Sequence, residues 1–507
     1  MSSQAKKLKI RLALVPVALL VVYFGVAAKI NSAPAYESYD LVIANGRVMD
    51  PESGLDAIRN VGISGGKIRA ISTETLRGKQ AIDAKGLVVA PGFIDLHEHG
   101  QEPRNYQYQA RDGVTTSLEL EAGTADVNGW YAEREGKSLI NFGVSIGHIP
   151  VRTRILTKAN ADGGLAAKGS AADMAAQDAA AHRQATPEEI DQIKAAMERG
   201  FQSGALAEGM GINYTPGASH WEIVEAFRVA AKYGASVHVH LRYAGGKEPE
   251  NGLSALEEVI AAAAATGAPL HVVHITSMGI RYTPQLIAVI EGAKQSGLDV
   301  TTECYPYTAG STYLQSAVFD PGWQEKQEIT FHDVQWADTG ERLTAETFEK
   351  YRKKGGVVVI HSIPEEAART AVANPMVMVA SDGMPITGAK VHPRGQGTFS
   401  RVLGHYVREE KALDLMTALR KMTLMPAQRL EKRAPAFKDK GKIRLGADAD
   451  ITVFDPARVI DKATFEEPLQ YSEGIQFVLV NGVPVVANGQ LVDGRFPGRA
   501  ARAPISQ

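Results

Sequence analysis

From Tyr39 onward the chain alternates short apolar runs with polar punctuation. "YDLVIANGRVMD", "NVGISGGKIRAIS" and "IDAKGLVVAPGFIDLHEHG" are β-rich runs broken by Asn-Gly and Gly-Gly pairs, the signals of hairpins. The same texture returns near the carboxyl end in "ADITVFDP" and "QFVLVNGVPVVANGQLV". Strands from both ends are therefore expected to build one small β-sandwich domain from residues 36–90 and 436–492, with 493–507 left as a tail. The middle reads differently. Apolar runs such as "GVTTSLELEAG", "INFGVSIGHI", "SVHVHLR", "LHVVHITS", "LDVTTECYPY", "GVVVIHS" and "MVMVASDG" are separated by stretches with helical spacing. In "TPEEIDQIKAAMERG", Thr186 is expected to cap a helix, Pro187 to sit in its first turn, Glu189 to complete a capping box and Gly200 to end it. "WEIVEAFRVAAKYG" repeats the pattern, with Gly234 as the stop. Alternating strand and helix predict a parallel sheet covered by helices. With the run that ends at His99, about eight strands are found, which favours an α/β fold, a closed (β/α)₈ TIM-like barrel, over residues 91–435. The alanine-rich segment from Gly164 to Ala185 reads as a loop or insertion helix.

The amino terminus is different in kind. Lys6, Lys7, Lys9 and Arg11 precede an uncharged, mostly apolar stretch from Leu12 to Ala28, followed by the small residues of "NSAPA". This is the pattern of a secretory signal, and the apolar stretch is also near the lower limit for spanning a bilayer. Residues 1–35 are thus expected to be a cleaved signal peptide or a retained membrane anchor tethered through residues 12–28. Either places the remaining chain outside the cytoplasm, periplasmic or membrane-anchored. The 507 residues are 44% hydrophobic and 22% charged, as in a globular protein with a substantial core. A net charge of −2 gives no electrostatic reason to expect nucleic acid as a partner. Cys304 is the only cysteine, which excludes an intrachain disulfide and a cysteine-rich zinc site.

Candidate chemistry gathers at the predicted strand ends. In "GFIDLHEHG", His97 and His99 stand two apart, and residues two apart on a strand project to one face. One such pair is unremarkable, but the next strand ends in Glu119 and Glu121, a later one in His238 and His240, another in His274 and a late one in Asp382. Strand ends of a barrel converge on one mouth, and imidazoles and carboxylates gathered there are what a zinc-type hydrolytic site needs. Carboxylates can also bridge two ions. His238 shares the face of His240, yet only one is needed, so a packing role is expected for it; His271 is read as supporting the wall. Glu98, of opposite parity, is expected to point into the barrel wall. Arg242 is a candidate for orienting a ligand, and His148 and His361 are candidates for lining the pocket.

"PGFIDLHEHG", "GVTT", "HLR", "HVVHITS", "ASDG" and "GADADITVFDP" together resemble the amidohydrolase superfamily. "YPYTAGST", "HPRGQGTFSRVLGHYVRE" and "ALRKMTLMPAQRL" further resemble its N-acyl-D-amino-acid deacylase, or D-aminoacylase, branch, from about Tyr39 to Leu491. The resemblance implies metal ligation by His97, His99, His240 and His274, with Asp382 binding metal and shuttling a proton. It implies substrate contacts from Tyr214, Tyr305, Ser311 and Arg394, and one or two Zn²⁺ or other divalent ions.

Three departures bear on this. The branch usually places a cysteine ligand in the second strand, where this chain has Ala122; Glu121, directly before it, is expected to supply the bridging oxygen, with Glu119 as the alternative. No lysine stands at the end of the third or fourth strand to be carboxylated. Thr276 replaces the lysine that tends to follow the His274 counterpart, and "YAGG" rather than an acidic pair follows "HLR". The implied activity is hydrolysis of an amide bond in a small molecule, an N-acyl amino acid, by hydroxide activated on the metal. His274 and Tyr305 would steady the oxyanion and Arg394 an anionic end of the substrate. The competing readings are another amidohydrolase, of the hydantoinase, dihydroorotase or dipeptidase type, and a catalytically inactive binding protein on the same scaffold.

Overall fold

A computed structural model describes residues 38–158, 171–388 and 390–506. The leader expected over residues 1–35 lies outside the described residues, as does much of the alanine-rich segment. Among the described residues no helix is long and apolar enough to cross a membrane.

Eight parallel strands form the barrel: Phe93–Asp95 (β1), Val114–Thr124 (β2), Asn141–Gly147 (β3), Glu208–Gly211 (β4), Val237–His240 (β5), Leu270–Val272 (β6), Val300–Cys304 (β7) and Val377–Val379 (β8). They pair in chain order. Past the end of β8 the chain returns to β1. Asp382 N–H donates to the His97 carbonyl (2.7 Å), His99 N–H to Gly383 (2.8 Å) and Ser381 N–H to Asp95 Oδ1 (3.0 Å), which closes the ring at its mouth.

One strand was misassigned from sequence. Val357–Ile360, within "GVVVIHS", is not a barrel strand; it pairs antiparallel with Gly310–Tyr313 and Val334–Trp336 in a separate three-stranded sheet. Val358 and Ile360 pack there with Leu314, Trp336 and Phe348 in an apolar cluster of their own. The barrel position is filled by β4, "EGMG", which is too short and too glycine-rich to read as an apolar run. Glycine is required at Gly209, where a Cβ would lie 2.2 Å from the Glu121 carbonyl oxygen.

The helix Pro187–Gln202 has its Thr186–Glu189 capping box but runs past Gly200 to a cap at Ser203. Gly200 does not stop it. It lies inside the helix against Ile146, where a Cβ would approach the Ile146 side chain to 2.5 Å. The helix His220–Lys232 is capped by Ser219, and Gly234 follows it with φ of +59°.

The second domain draws strands from both ends of the described chain, hydrogen-bonded into one nine-stranded sheet. The long strand Ser38–Asp50 joins its halves, pairing with Arg77–Asp83 along its first part and with Val88–Pro91 along its second. Ile451–Phe454 then adds antiparallel to Val88–Pro91. Ile43, Val61, Ile68 and Val453 share a core distinct from that of the barrel. The stretch expected as a free tail returns to the barrel: Ala501 N–H donates to the Phe142 carbonyl (2.7 Å), and Ala501 and Ala503 are buried with Leu206 and Leu430.

Candidate metal centre

The inward parity of β1 and β2 delivers the first group of donors. His97 Nε2 and His99 Nε2 lie 3.2 Å apart, and Glu121 Oε2 lies 2.8 and 3.1 Å from them. Asp382 Oδ1, from the loop after β8, completes the group at 3.4 and 3.3 Å from the same two nitrogens. A tetrahedral zinc with bonds of about 2.0–2.1 Å has ligand–ligand edges of about 3.3 Å. The spacing of these four atoms fits such an ion. Glu121 then turns its other oxygen to a second group: Oε1 lies 2.8 Å from His240 Nδ1 and 3.5 Å from His274 Nε2. One carboxylate thus stands between two sets of donors, each compact enough to hold a metal.

The imidazoles of the first group are braced from behind. His97 Nδ1 pairs with Glu303 Oε1 and His99 Nδ1 with Glu119 Oε2, each at 2.7 Å. A carboxylate on Nδ1 fixes the tautomer that leaves Nε2 as the donor and raises its basicity. Glu119, the alternative bridge, therefore lies behind a histidine rather than between the two groups. Burial opposes charge on Glu121, but His97 and the other imidazoles around it hold its carboxyl well below the usual range. Burial likewise pushes Asp382 up, and Arg394 and His97 outweigh it, leaving the carboxyl at about 2. Both acids are thus available as anionic donors.

Beside these groups lies a cavity of about 50 Å³ lined by Glu121, Tyr214, His240, His274, Tyr305, Ser311, Asp382 and Arg394 among others. Arg394 is buried, with Nη1 2.7 Å from Asp382 Oδ2, Nη2 donating to the Ser311 carbonyl (3.1 Å), and its guanidinium 4.7 Å over the Tyr305 ring. The Tyr305 hydroxyl and Arg394 Nε have no partner, so polar valence remains for a ligand. The Ser311 hydroxyl is engaged with the Val358 carbonyl (2.9 Å), and Tyr214 pairs with Thr312 (2.8 Å).

Comparison with known proteins agrees with this geometry. The amidohydrolase family model matches residues 80–376 and 156–486. A D-aminoacylase of Alcaligenes xylosoxydans xylosoxydans is 30% identical, over 91% of this chain and 97% of its own. An N-acyl-D-glutamate deacylase of the same organism is also 30% identical, over 93% and 98%. The solved N-acyl-D-glutamate deacylase of Bordetella bronchiseptica, complexed with zinc and a phosphonate mimic of the tetrahedral intermediate, superimposes with a TM-score of 0.75. It is 26% identical, with 92% of this chain and all of that one covered.

The chain belongs to the amidohydrolase family.

Within this amidohydrolase all ten expected site residues meet at one mouth: six in the two donor groups, and Tyr214, Tyr305, Ser311 and Arg394 in the cavity wall that Asp382 also lines. His274 and Asp382 adopt positive φ, 32° and 53°. Non-glycine residues are strained there, and such strain collects where side chains must be aimed at a site. Other candidates resolve as structural. His238 packs against the His271 ring (4.5 Å between centroids) and pairs with Ser236 (3.0 Å). His148 pairs with Glu222 (2.9 Å), and His361 pairs with Gln335 (2.8 Å) in the small sheet; neither lines the cavity. Arg242 touches no donor; it grips Glu258 through two bonds of 2.8 and 2.7 Å. Glu98 braces the closing loop, accepting from Gly100 N–H (2.7 Å) and Ser381 Oγ (3.0 Å). Glu303 was missed. It links His97 to His271 Nε2 (3.0 Å), and its inward parity in "VTTEC" was the available signal.

Proposed function

We propose that this protein is a zinc-dependent N-acyl-D-amino-acid deacylase. One observation carries the reading: Glu121 stands between two imidazole groups directly beside a cavity whose single guanidinium, Arg394, is fixed on Asp382. His97, His99, Glu121 and Asp382 would hold one ion and Glu121, His240 and His274 a second. The donors are all nitrogen and oxygen, a set that suits zinc. A bound zinc ion would polarise the amide carbonyl and bring the pKa of water down towards about 7.

The rest falls to the chain. Arg394, backed by Tyr305 and the Ser311 carbonyl, receives the α-carboxylate and so fixes the amide relative to Glu121. Asp382 takes a proton from the attacking water and returns it to the amine nitrogen, which leaves as the neutral amine. The Tyr305 hydroxyl, free of partners, is placed to donate to the oxygen on which negative charge develops. The D configuration is supported by the relatives named above, not by the geometry. An exported location, periplasmic or membrane-anchored, is part of the same proposal and rests on the basic and apolar pattern of residues 6–28.

The test is metal analysis of the purified protein together with hydrolysis of paired N-acyl-D- and N-acyl-L-amino acids. Bound zinc with release of free D-amino acid supports the reading. Zinc without turnover on either series removes the substrate assignment, and a metal-free, inactive protein that stays so after zinc is added removes the mechanism.

A further inference from the structure

A second chamber of about 100 Å³ opens off the reaction cavity and shares Asn213, Ala244, Val318 and Gln327 with it. Beyond these lie Pro216, Tyr243, Ala317 and Trp323. Its charged residues are already committed within the protein. Arg242 is held by Glu258 (2.7 Å) and the Ala218 carbonyl (3.1 Å), Lys326 by Glu250 (2.6 Å), and Asp320 by Arg352 (3.0 Å) and His182 (2.6 Å). A charged ligand group would find no free counter-charge there, which favours an uncharged one.

The position of the chamber decides which part of a substrate reaches it. Arg394 is fixed on Asp382, just after β8, whereas Asn213, Pro216, Tyr243 and Ala244 follow β4 and β5, with β6 and β7 between. A substrate whose carboxylate is on Arg394 and whose scissile carbonyl is beside Glu121 directs the group bonded to that carbonyl away from Arg394, towards β4 and β5. That group is the acyl chain. One water needs roughly 10–15 Å³ of such volume, so an acetyl methyl, about the size of one water, would leave most of the chamber unused.

We propose that the substrate carries an uncharged acyl group much larger than acetyl, seated in this second chamber between Tyr243, Trp323 and the turn Ala317–Phe319. The proposal rests on the deacylase reading above. Each methylene taken from water into such a chamber favours binding about three- to fourfold.

The experiment measures kcat/KM of the zinc-loaded protein for N-acetyl-, N-butanoyl- and N-octanoyl-D-leucine, and repeats it with Ala317→Trp, which fills the outer chamber only. The expected result is an N-octanoyl value at least tenfold above that of N-acetyl. In Ala317→Trp that advantage should disappear, with the N-acetyl value held within about twofold. A flat chain-length series, or equal losses for short and long chains in Ala317→Trp, overturns the proposal while leaving the deacylase intact. No turnover at any length overturns the deacylase reading and this proposal with it. The series on the natural protein is decisive even if the variant does not fold.

Discussion

Arg394 Nη1 lies 2.7 Å from Asp382 Oδ2, while the other oxygen of the same carboxylate faces His97 and His99 at 3.4 and 3.3 Å. Asp382 is therefore held from both sides, by a guanidinium that borders the cavity and by imidazoles of the first donor group. Substitutions on the two sides should fail differently. Asp382→Asn removes the proton shuttle, and kcat should fall by about a thousandfold with KM little changed at matched metal content. Arg394→Lys keeps a charge but loses the planar fork that spans Asp382 and the Ser311 carbonyl, so KM should rise about tenfold or more. Steady-state kinetics on an N-acyl-D-amino acid separates them. A D382N protein keeping a tenth of natural turnover would remove Asp382 from proton transfer.

Glu121 and Glu119 are two residues apart on one strand face, yet the structure gives them unlike surroundings. Glu121 lies between imidazoles of both groups, whereas Glu119 meets only His99 Nδ1 and the Ala122 N–H (3.0 Å). Glu121→Ala should lose zinc from both positions. Glu119→Ala and Glu303→Gln should still load zinc but release it to a chelator about 10- to 100-fold more readily. Equal zinc retention in Glu121→Ala and Glu119→Ala would rule out a bridging role for Glu121.

How far the sequence carried depends on the kind of signal. The ligand histidines sit two apart on strands or in strings such as "HVVHITS", where local order alone fixes which face they share. Asp382 was legible as the acid that ends the late apolar run "MVMVASDG" and by the resemblance of "ASDG". Glu303 was not, because its importance lies in reaching His97 across the barrel, a contact between residues 206 apart in sequence. The misplaced strand shows the other limit. Val357–Ile360 has a stronger apolar pattern than Glu208–Gly211, but apolarity reports burial, and the small sheet buries all of it but Val357. Gly209 of β4 is there because the backbone of β2 leaves no room for a Cβ, and Gly211 because the Tyr214 and Ile149 side chains crowd it, which no periodicity records.

The cavity wall makes a prediction about the amino-acid side chain. Arg394 is the one guanidinium or ammonium among its described lining residues, and it is already paired with Asp382. It can serve the α-carboxylate; a second carboxylate would be buried near Glu121 and Asp382 with no side-chain cation of the wall to meet it. Leaving such a charge unpaired costs roughly 3–5 kcal/mol. The isosteric pair N-acyl-D-glutamine and N-acyl-D-glutamate isolates this charge. The glutamine substrate should have the higher kcat/KM by about 100-fold or more, and parity between the two would mean that a cation outside this wall reaches the substrate.

Glu208, at the start of β4, gives a prediction about stability and its sign. The residue is fully buried and neither carboxyl oxygen has a partner, and burial drives its carboxyl up from 4.5 to about 8. Between these two pH values the unfolded chain carries the ionised acid while the folded protein keeps the proton. The folded state thus binds more protons, and its stability falls as pH rises through this window. Below it both states are protonated and above it both are ionised, so the slope vanishes at either end. Glu208→Gln cannot ionise and should lose this slope. Relative to its offset near pH 4, the variant should gain roughly 3 kcal/mol over the natural protein by pH 7 and gain nothing further above about pH 8. Denaturant unfolding of both proteins from pH 4.5 to 9 reads the difference directly. Parallel curves would mean that the carboxyl ionises in the folded protein as readily as in the unfolded chain.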